Sequence, residues 1–406
     1  MTLLIQDFLE KNTFNSLIEK HGVYVSFSKT GHKFSLSYDQ IEAKNDDPLS
    51  QECRGLILCT EDGKSFLSDA IEVNGRLSYN HICPGKTKVL AYLMRRFFNH
   101  GQGSAVNIDW NDSGISVLEK MDGTLCIVYF DSIISKWCVA TRSVSEADLF
   151  MDNGIFTFRT LFEKALQETC GKPFDVYVEH LDKNITYCFE LTTPYNRIIV
   201  KYDSNRVTLL AARDILSLKE VDIHSLNMHG VPCVHGHTYT SVDDIVNWVS
   251  TTNPIEHEGV VIRDSHFNRI KVKSAAYTAY NRARDILGAS DRNCLEIILH
   301  EKDDDVLPFL PEEIANNLIK IKEKYVHVMK HYDAVYLSYL KEANDILPGD
   351  KKTFALIVAK SKESWTAPMF QIFSGRAENM KDFIQKNKKE GTWPNGFLDK
   401  ILELAI

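Results

Sequence analysis

The sequence lacks long hydrophobic runs and paired cysteines. No stretch approaches the roughly 18 uninterrupted apolar residues that a membrane-spanning helix needs, and the opening segment MTLLIQDFLEKNTF carries acidic residues and lacks the basic segment of a secretory signal. The nine cysteines are an odd number without a Cys-x-x-Cys pair, which fits neither a disulfide framework nor a zinc ribbon. We therefore expect a cytoplasmic protein with reduced thiols and no membrane contact.

Several common catalytic templates are also absent. The chain contains no Gly-x4-Gly-Lys-Ser/Thr phosphate loop, no Gly-x-Ser-x-Gly nucleophile turn and no His-Glu-x-x-His zinc helix. A net charge of −8 argues against broad binding of polyanions, although it leaves room for a local basic cleft. With 44% apolar residues in a chain of 406, the composition indicates a globular protein and leaves the class of ligand open.

The first two-thirds of the chain is rich in β-strand patterns. Helical patterns are fewer there, with one at 2–20 and another at 155–169. Many strands with few helices between them favour antiparallel sheets over a doubly wound βαβ fold. The predicted strands, which are mostly β-branched or aromatic residues between turn residues, lie at 24–36, 52–58, 115–119, 125–130, 137–141, 175–180, 186–191, 197–202, 207–211, 259–263 and 269–273.

Beyond Ser274 the pattern becomes helical. The clearest helix covers 312–345, where apolar residues recur at three- and four-residue spacing between prolines at either end. The sequence therefore predicts an α+β fold, with a mostly antiparallel-sheet domain over residues 1–285 and an all-helical C-terminal domain over 286–406. Further helices of that domain are predicted at 352–362, 377–387 and 397–404.

A lysine stands between two predicted strands, in Lys120-Met121-Asp122-Gly123. Such a lysine can be a solvated turn residue, or an amine whose pKa is lowered by burial and neighbouring cations so that it acts as a nucleophile. A Lys-x-Asp-Gly match arises by chance roughly once in ten chains of this length. The motif alone therefore leaves both interpretations open.

Two further lysines and a glutamate lie downstream. Lys271 and Lys273 point to the same face of a predicted strand, which is unfavourable in a half-buried sheet unless an anion or carboxylates compensate. A triphosphate is a natural partner for three lysines, and their repulsion would help one of them lose its proton. Glu258 would then bind a hard cation such as Mg²⁺ or Mn²⁺. The alternatives are a solvated strand face and an ordinary exposed acid at the end of a strand.

A third segment supplies Phe189 and Glu190. The phenylalanine offers a ring on which a base can stack, and the glutamate offers an acceptor for sugar hydroxyls. The alternative for Phe189 is an ordinary core position.

The order Lys-x-Asp-Gly, Phe-Glu, Glu-Gly-Val-Val and Lys-x-Lys resembles the motif series of the covalent nucleotidyltransferases, which are ATP-dependent ligases and mRNA capping enzymes. Within that superfamily the sequence looks most like the single-strand, tRNA-repairing RNA ligases of T-even bacteriophages. The resemblance covers the first domain and extends faintly to Lys352-Thr353-Phe354-Ala355. Its motifs are Glu52-Cys53-Arg54-Gly55, Lys120-Met121-Asp122-Gly123-Thr124-Leu125, Asp152-Asn153-Gly154-Ile155, Asn196-Arg197-Ile198-Ile199-Val200, and Lys271-Val272-Lys273-Ser274 with Tyr277.

The resemblance implies an adenylyltransferase domain that joins RNA 5′-phosphate and 3′-hydroxyl ends in three steps, through a covalent lysyl-AMP on Lys120. It also implies ATP as substrate, a divalent cation at Glu258 and a catalytic set of Lys120, Asp122, Lys271 and Lys273. The expected ATP-binding residues are Arg54, Arg76, Lys120, Gly123, Arg142, Phe189, Glu190, Glu258, Lys271, Lys273 and Tyr277.

Two positions depart from the phage pattern. Where that family has a lysine followed by paired aromatic residues and an asparagine, we take 73–80 as the matching segment, with Arg76 in place of the lysine. The position of Arg142 is a lysine in the phage enzymes, and this exchange keeps the charge but alters the geometry.

Two other functions remain as alternatives to an RNA ligase. A GTP-using capping enzyme would share the Lys120 chemistry, but it would usually carry a C-terminal OB barrel where we predict helices. A noncatalytic nucleic-acid-binding relative would have lost the nucleophile or the metal site. For the ligase we expect tRNA as the RNA, a monomer, and the host cytoplasm of a phage as its location. By analogy the helical domain recognises RNA, although its lysines at 320, 322, 324 and 330 also fit the wet face of a helix.

Overall fold

The computed structural model describes residues 2–404 except 62, 67–70, 74–75, 79–82, 149, 151–153, 240, 362 and 389–392, and it describes only the backbone of 71–73, 76–78, 289 and 395. The chain divides into two compact units, Met1–Tyr277 and Thr278–Ile406. The first unit is rich in strands and the second is helical. Mixed sheets followed by a helical C-terminal region agree with the predicted fold class.

The strands all lie in the first unit as far as the structure describes the chain. They are β1 (Val23–Phe27), β2 (Lys33–Tyr38), β3 (Arg54–Thr60), β4 (Ile71–Val73), β5 (Arg76–Ser78), β6 (Thr87–Ala91), β7 (Phe98–Asn99), β8 (Ser116–Glu119), β9 (Thr124–Asp131), β10 (Lys136–Thr141), β11 (Ile185–Thr192), β12 (Arg206–Asp214), β13 (Glu220–Val221), β14 (Gly236–His237), β15 (Gly259–Arg263) and β16 (Arg269–Lys273).

The helices are distributed over both units, and α7 begins in the first unit and ends in the second. They are α1 (Leu4–Leu9), α2 (Phe14–His21), α3 (Pro48–Glu52), α4 (Phe158–Cys170), α5 (Phe174–Val178), α6 (Val242–Thr251), α7 (Ala275–Ala289), α8 (Asp291–Leu299), α9 (Asp303–Val306), α10 (Glu312–Ile346), α11 (Lys351–Lys360), α12 (Ala367–Phe373), α13 (Met380–Lys386) and α14 (Asn395–Glu403).

The described sheets are almost entirely antiparallel. The first has the order β1-β2-β3-β6, the second β10-β9-β11-β12-β13 and the third β14-β8-β15-β16-β7, and β4 pairs with β5 alone. The exception is the pairing of β16 with the two-residue strand β7, which is parallel. The antiparallel prediction is therefore confirmed for the sheets that carry the site.

Strand β11 is buried at every position because both of its faces are covered. On one face Phe189 and Leu191 pack among the residues of α4, including Phe162, in one hydrophobic core. On the other face Cys188 packs with Ile57 of β3 in a second core. Alternate side chains of one strand thus enter different environments, as the two-residue period of a strand requires.

The prediction of a strand at 175–180 is wrong. This segment belongs to α5, which begins after Pro173. Phe174, Tyr177 and Val178 are buried, and their spacing of three and four residues is that of one helix face. This short apolar segment fits both the two-residue period of a strand and the 3.6-residue period of a helix, so the core that it contacts decides which of the two forms.

The prediction of a strand at 197–202 is also wrong. The segment follows a 3-10 turn at Pro194–Asn196 and forms bends. The backbone N–H groups of Ile199 and Val200 donate to the Asp122 carboxylate instead of to a neighbouring strand, at 2.8 and 2.7 Å. The Asp122 carboxylate, which is distant in the sequence, therefore takes the hydrogen bonds that a neighbouring strand would accept in a sheet.

Two smaller differences concern helices. The opening helix predicted at 2–20 is two helices, because Thr13 caps a new N-terminus and accepts a hydrogen bond from the backbone of Ser16. Helix α6 was not predicted. The expected helices at 155–169, 312–345, 352–362, 377–387 and 397–404 correspond to α4, α10, α11, α13 and α14, with shifted ends.

The second unit is organised around the 35-residue helix α10. Leu318, Ile321, Val328 and Tyr332 lie on its buried side, at the three- and four-residue spacing read from the sequence. These residues belong to one core together with residues of α8 and α11 to α14. The helical prediction for this region is therefore confirmed.

Neither membrane spans nor disulfides occur in the described chain. Each described helix is too short or too polar to cross a bilayer. All nine cysteines are free, and most of them are buried.

A buried ion pair joins the first two sheets. The Lys33 ammonium on β2 and the Asp131 carboxylate on β9 are both fully buried, and Lys33 Nζ lies 2.9 Å from Asp131 Oδ2. His32 Nε2 lies 2.8 Å from the same oxygen, and Glu146 Oε1 lies 3.2 Å from Lys33 Nζ. A buried charge is costly unless it is paired, so each member of this network depends on the others.

Replacing Asp131 with alanine is expected to lower the free energy of unfolding by about 3–5 kcal/mol, because the Lys33 ammonium stays buried without its main partner. The double variant Lys33→Met/Asp131→Leu should recover most of that loss. Urea unfolding measures both. The control is Glu301→Ala, which breaks an exposed pair with Lys381 and should cost less than about 1 kcal/mol; an equally small cost for Asp131→Ala would contradict the expectation.

Candidate active site

Strand register brings the predicted site residues together in the first unit. Glu119, at the end of β8, pairs with Val260 of β15, and Gly259 pairs with Lys273 of β16. Lys120 follows Glu119, and its backbone N–H donates to the Gly259 carbonyl at 2.9 Å. The side chains of Lys120 and Lys273 consequently flank Glu258.

Glu258 forms two short ion pairs. Its Oε2 lies 2.6 Å from Lys120 Nζ, and its Oε1 lies 2.7 Å from Lys273 Nζ. The Glu258 side chain is only 3% exposed, whereas those of Lys120 and Lys273 are 21% and 29% exposed. Burial by itself would raise the pKa of the carboxyl group, but the two ammonium groups outweigh burial and hold that pKa below its ordinary value. Glu258 is therefore an ionised carboxylate between two cations.

Lys271 experiences the repulsion that the sequence predicted for the lysine cluster. Burial, followed by the charges of Lys273, Lys120 and Arg54, lowers the pKa of Lys271 to about 7. Its Nζ lies 5.5 Å from the centroid of the Phe97 ring. Among the described residues no carboxylate lies within ion-pair distance of Lys271 Nζ, in contrast to Lys120 and Lys273.

Glu190 is a buried acid close to these lysines, and it lines the cavity that is described below. Its Oε1 accepts a hydrogen bond of 3.0 Å from the backbone N–H of Gly123. Burial raises the pKa of Glu190 to about 8, although Lys120 acts in the opposite direction. The neutral acid can donate a hydrogen bond as well as accept one. Only glycine fits at position 123, since a Cβ there would lie 2.4 Å from the Leu191 carbonyl oxygen.

Asp122 organises the backbone around Lys120. One carboxylate oxygen accepts the N–H groups of Ile199 and Val200, and the other accepts the Tyr277 hydroxyl at 2.6 Å. Asp122 is 3% exposed, and its own N–H donates to the Tyr202 hydroxyl at 3.2 Å. The structure thus gives Asp122 protein partners on both oxygens, and Tyr277 lies against it and not at the cavity surface.

The three lysines and Glu190 border a cavity of about 450 Å³ in the first unit, within the usual size of a small-molecule site, whereas Glu258 and Asp122 lie behind its lining. Arg54 and Arg142 also line it, and Arg54 Cζ lies 4.8 Å from the centroid of Phe97. One terminal nitrogen of Arg54 is buried and has no hydrogen-bond partner among the described residues. Cations and buried donors that converge on one cavity are suited to a polyphosphate. The full set of predicted residues that line the cavity is Arg54, Lys120, Gly123, Arg142, Glu190, Lys271 and Lys273.

Phe189 does not line this cavity. Its ring is fully buried and lies 5.6 Å from the ring of Phe162 in the core against α4. Because Glu190 points into the cavity, its neighbour on the strand points to the opposite face. The alternative of a core position, which the sequence left open, therefore describes Phe189, and the stacking prediction is wrong.

Two predicted segments fall outside the described residues. The structure describes the backbone of Arg76 in β5 but not its side chain, and 79–80 are not described. Asp152 and Asn153 are likewise outside the described residues. The expectations for these positions stay predictions.

Four residues of the cavity lining, Arg96-Phe97-Phe98-Asn99, were not predicted from the sequence. These four residues have the pattern of a basic residue, two aromatic residues and an asparagine that was assigned to 73–80. The guanidinium of Arg96 lies 4.2 Å from the centroid of the Tyr38 ring. The signal was therefore present in the sequence about twenty residues beyond the place where it was sought.

The carboxylates of the site fit a divalent cation that is bound with a nucleotide. The described residues hold no group of three or more His, Cys, Asp or Glu side chains that could bind a metal ion. Mg²⁺ commonly takes most of its ligands from phosphates and water and needs one or two protein carboxylates. Glu258 can be such a ligand, so the donor set fits Mg²⁺ or Mn²⁺ held jointly with phosphates and not a metal held by protein alone.

Comparison with known proteins gives relatives whose names include RNA ligase. A candidate bifunctional polynucleotide kinase/RNA ligase of Autographa californica nuclear polyhedrosis virus is 24% identical over 76% of this chain, which spans 42% of that protein's length. An RNA ligase of Rhodothermus phage RM378 is 22% identical over 75% of this chain and 80% of the phage protein.

A solved archaeal ATP-dependent RNA ligase is 14% identical, with a TM-score of 0.41 over 76% of this chain and 75% of the archaeal chain. The family model described as RNA ligase matches residues 52–277, which is more than half of the chain. This range contains every residue of the cavity except Tyr38, Gln40 and Asn45. The protein therefore belongs to the RNA ligase family.

Proposed function

We propose that this protein is an ATP-dependent RNA ligase that joins 5′-phosphate and 3′-hydroxyl RNA ends through a lysyl-AMP intermediate on Lys120. The observation that carries the proposal is the pairing of Lys120 and Lys273 with Glu258 at 2.6 and 2.7 Å, with both lysines and Lys271 on the wall of a cavity that can hold a nucleotide. The family membership of the chain supports the ligation of RNA.

The first step forms a bond between Lys120 Nζ and the α-phosphorus of ATP. The bond from that phosphorus to the oxygen bridging the α- and β-phosphates breaks, and pyrophosphate and a proton leave. In the ground state the ammonium of Lys120 is paired with Glu258, so the amine must give up a proton before it can attack. Glu258 Oε2 lies within hydrogen-bond reach of that proton.

Two further steps consume the intermediate. An oxygen of the RNA 5′-phosphate attacks the phosphorus of lysyl-AMP and releases the amine. The RNA 3′-hydroxyl then attacks the activated 5′-phosphate, loses its proton and expels AMP. Each step is an in-line phosphoryl displacement, in which positioning and charge stabilisation provide most of the acceleration.

The remaining residues act on charge and orientation. Lys271 and Lys273 contact the α-phosphate and the leaving pyrophosphate, and Arg54 and Arg142 hold the outer phosphates. Glu190, neutral near pH 7, binds the ribose hydroxyls. A divalent cation at Glu258 would neutralise phosphate charge. Asp122 is a positioning residue, since its carboxylate holds 199–200 and Tyr277 in place around the lysine.

The RNA that we propose is tRNA, with the helical second unit contributing to its recognition. The support is the sequence resemblance to tRNA-repairing ligases and the compact character of that unit. A GTP-using capping activity is the competing possibility and is separated by the choice of nucleotide in the first assay below.

Lys120→Ala is expected to abolish covalent labelling of the protein by α-labelled ATP in the presence of Mg²⁺, because the nucleophilic nitrogen is lost. The label on the wild-type protein should survive denaturing electrophoresis and alkali and be released by acid, as a phosphoramidate is. Lys136→Ala, at an exposed lysine outside the cavity, is the matched control and should label like the wild type. Labelling from GTP in preference to ATP would favour a capping enzyme, and no labelling of folded wild-type protein would contradict the proposal.

Lys271→Met is expected to stabilise the protein while impairing self-adenylylation. The pKa of Lys271 is about 7 in the folded chain and 10.5 ordinarily, so between these values the unfolded chain binds more protons and the wild type gains stability as the pH rises. The gain from the variant should therefore be full below pH 7, at about 1–3 kcal/mol after allowance for solvent screening, and vanish towards pH 10.5. Urea unfolding at several pH values measures it, with the exposed Lys201→Met as control. A gain independent of pH would contradict the expectation.

A chain that ends after residue 289, the last residue of α7, is expected to keep self-adenylylation within about twofold, since the described cavity lies in the first unit. Sealing of a nicked tRNA anticodon loop should fall at least tenfold, because the proposed recognition unit is missing. Gel assays of both activities measure the difference, with circular dichroism as the test of folding. Equal loss of both activities in a folded chain would refute the recognition role of the second unit.

A further inference from the structure

A second cavity, of about 640 Å³, adjoins the first one within the first unit. Arg96, Phe97, Phe98 and Arg269 line both cavities. The two spaces are thus separated by little more than these side chains. A polymer whose end lies in the first cavity could continue directly into the second.

The second cavity is strongly cationic. Among the described residues that line it, the single carboxylate is Glu220, whereas the chain as a whole has a net charge of −8. A concave site lined by basic residues focuses the positive electrostatic potential of the protein, so that anions are attracted to this site even though the protein as a whole is acidic. The cations of its lining are Arg95, Arg96, Arg213, Lys219 and Arg269.

Glu220 is fully occupied by two of these arginines. Its Oε1 accepts from Arg213 at 2.7 Å and from Arg269 at 2.9 Å, and its Oε2 accepts from Arg269 at 2.6 Å. The carboxylate therefore neutralises part of the charge and fixes both guanidinium groups, but presents little charge of its own to a ligand. The excess of positive charge remains with the other cations.

Those other cations differ in how they are held. Lys219 is exposed and has no ion-pair partner among the described residues. Arg95 is 54% exposed and pairs with Glu52 at 3.0 Å, and the guanidinium of Arg96 lies on the rings of Tyr38 and Phe98. Among the described residues neither Lys219 nor Arg96 has an ion-pair partner, so a ligand can engage either of them without breaking a pair, and Lys219 is the more exposed of the two.

The walls also supply aromatic surface. Phe97 lines both cavities and Phe267 lines the second one, whereas Phe98, which also lines both, is buried, with the Arg96 guanidinium 5.2 Å from its ring centroid. A basic groove interleaved with aromatic rings is the arrangement by which proteins bind single-stranded nucleic acid, with phosphates on the cations and bases on the rings. A free phosphate or pyrophosphate would use the charge but not the rings.

We propose that the second cavity binds the backbone phosphates of the RNA strand next to the end that reacts at Lys120. This assignment rests on the proposed function and specifies where the protein holds its RNA substrate. Lys219 and the other cations of the cavity contact phosphates, and Phe97, which lines both cavities, orients the first nucleotides.

The test uses the full chain with Lys219→Ala and Lys219→Glu, and Lys136→Glu as a control that makes the same charge change at an exposed lysine outside both cavities. Binding of a 5′-phosphorylated and of a 5′-hydroxyl single-stranded RNA oligonucleotide is measured by fluorescence anisotropy over a salt series. We expect Lys219→Ala to weaken binding by roughly tenfold and to reduce the slope of log affinity against log salt by about one. Lys219→Glu should weaken binding further.

Two other readouts separate this proposal from the proposed function. Self-adenylylation with ATP should be unchanged in both Lys219 variants, and so should reversal of the label by pyrophosphate. Loss of RNA affinity for either oligonucleotide with these two activities intact supports the RNA site. RNA affinity equal to that of the wild type, or weakened reversal by pyrophosphate with RNA affinity intact, overturns it. Failure of the wild-type protein to self-adenylylate would count against the function of the first cavity and not against this binding result.

Discussion

A buried carboxylate held between two ammonium groups is the interaction on which the rest of the candidate site depends. Glu258 stays ionised inside the protein because Lys120 and Lys273 compensate its charge. The three side chains can meet only because β8, β15 and β16 pair in one register, and a slip of one residue would turn the lysines of β16 to the opposite face. The strand register therefore brings the three charges together, and any other register would leave the buried Glu258 carboxylate without its ammonium partners.

Close backbone approach supports the same arrangement. A Cβ at Gly259 would lie 2.1 Å from the Val272 carbonyl oxygen, and its φ of +143° also suits only glycine. Gly123 permits a similar approach to β11, which places its N–H on Glu190. The acids of the site thus differ in state because their surroundings differ: Glu258 faces ammonium groups, whereas Glu190 receives a backbone N–H in a buried position and has a raised pKa.

The sequence predicted those parts of the fold and site that depend on local pattern. Alternation and apolar spacing identified the strands that carry Lys271, Lys273 and Glu190 and the long helix α10, and motif order brought together the residues around Lys120. It failed where a distant partner decides the structure. The bends at 197–202 exist because Asp122 takes the N–H groups of Ile199 and Val200, and no local pattern contains that information. Phe189 was misplaced because a strand buried on both faces does not reveal which face borders the cavity.

The pairing of Lys120 with Glu258 also has a consequence for chemical selectivity in the resting protein. Lys120 Nζ donates to Glu258 Oε2 at 2.6 Å, so an acylating or carbonyl compound has to displace this contact before it can reach the nitrogen, which an exposed lysine without a partner does not require. Reactivity has to be released, by a change in what Glu258 contacts. A ligand that brings both phosphates and a cation to that carboxylate meets this condition, whereas a small electrophile alone does not. Glu258 thus both positions Lys120 Nζ and restricts access to it.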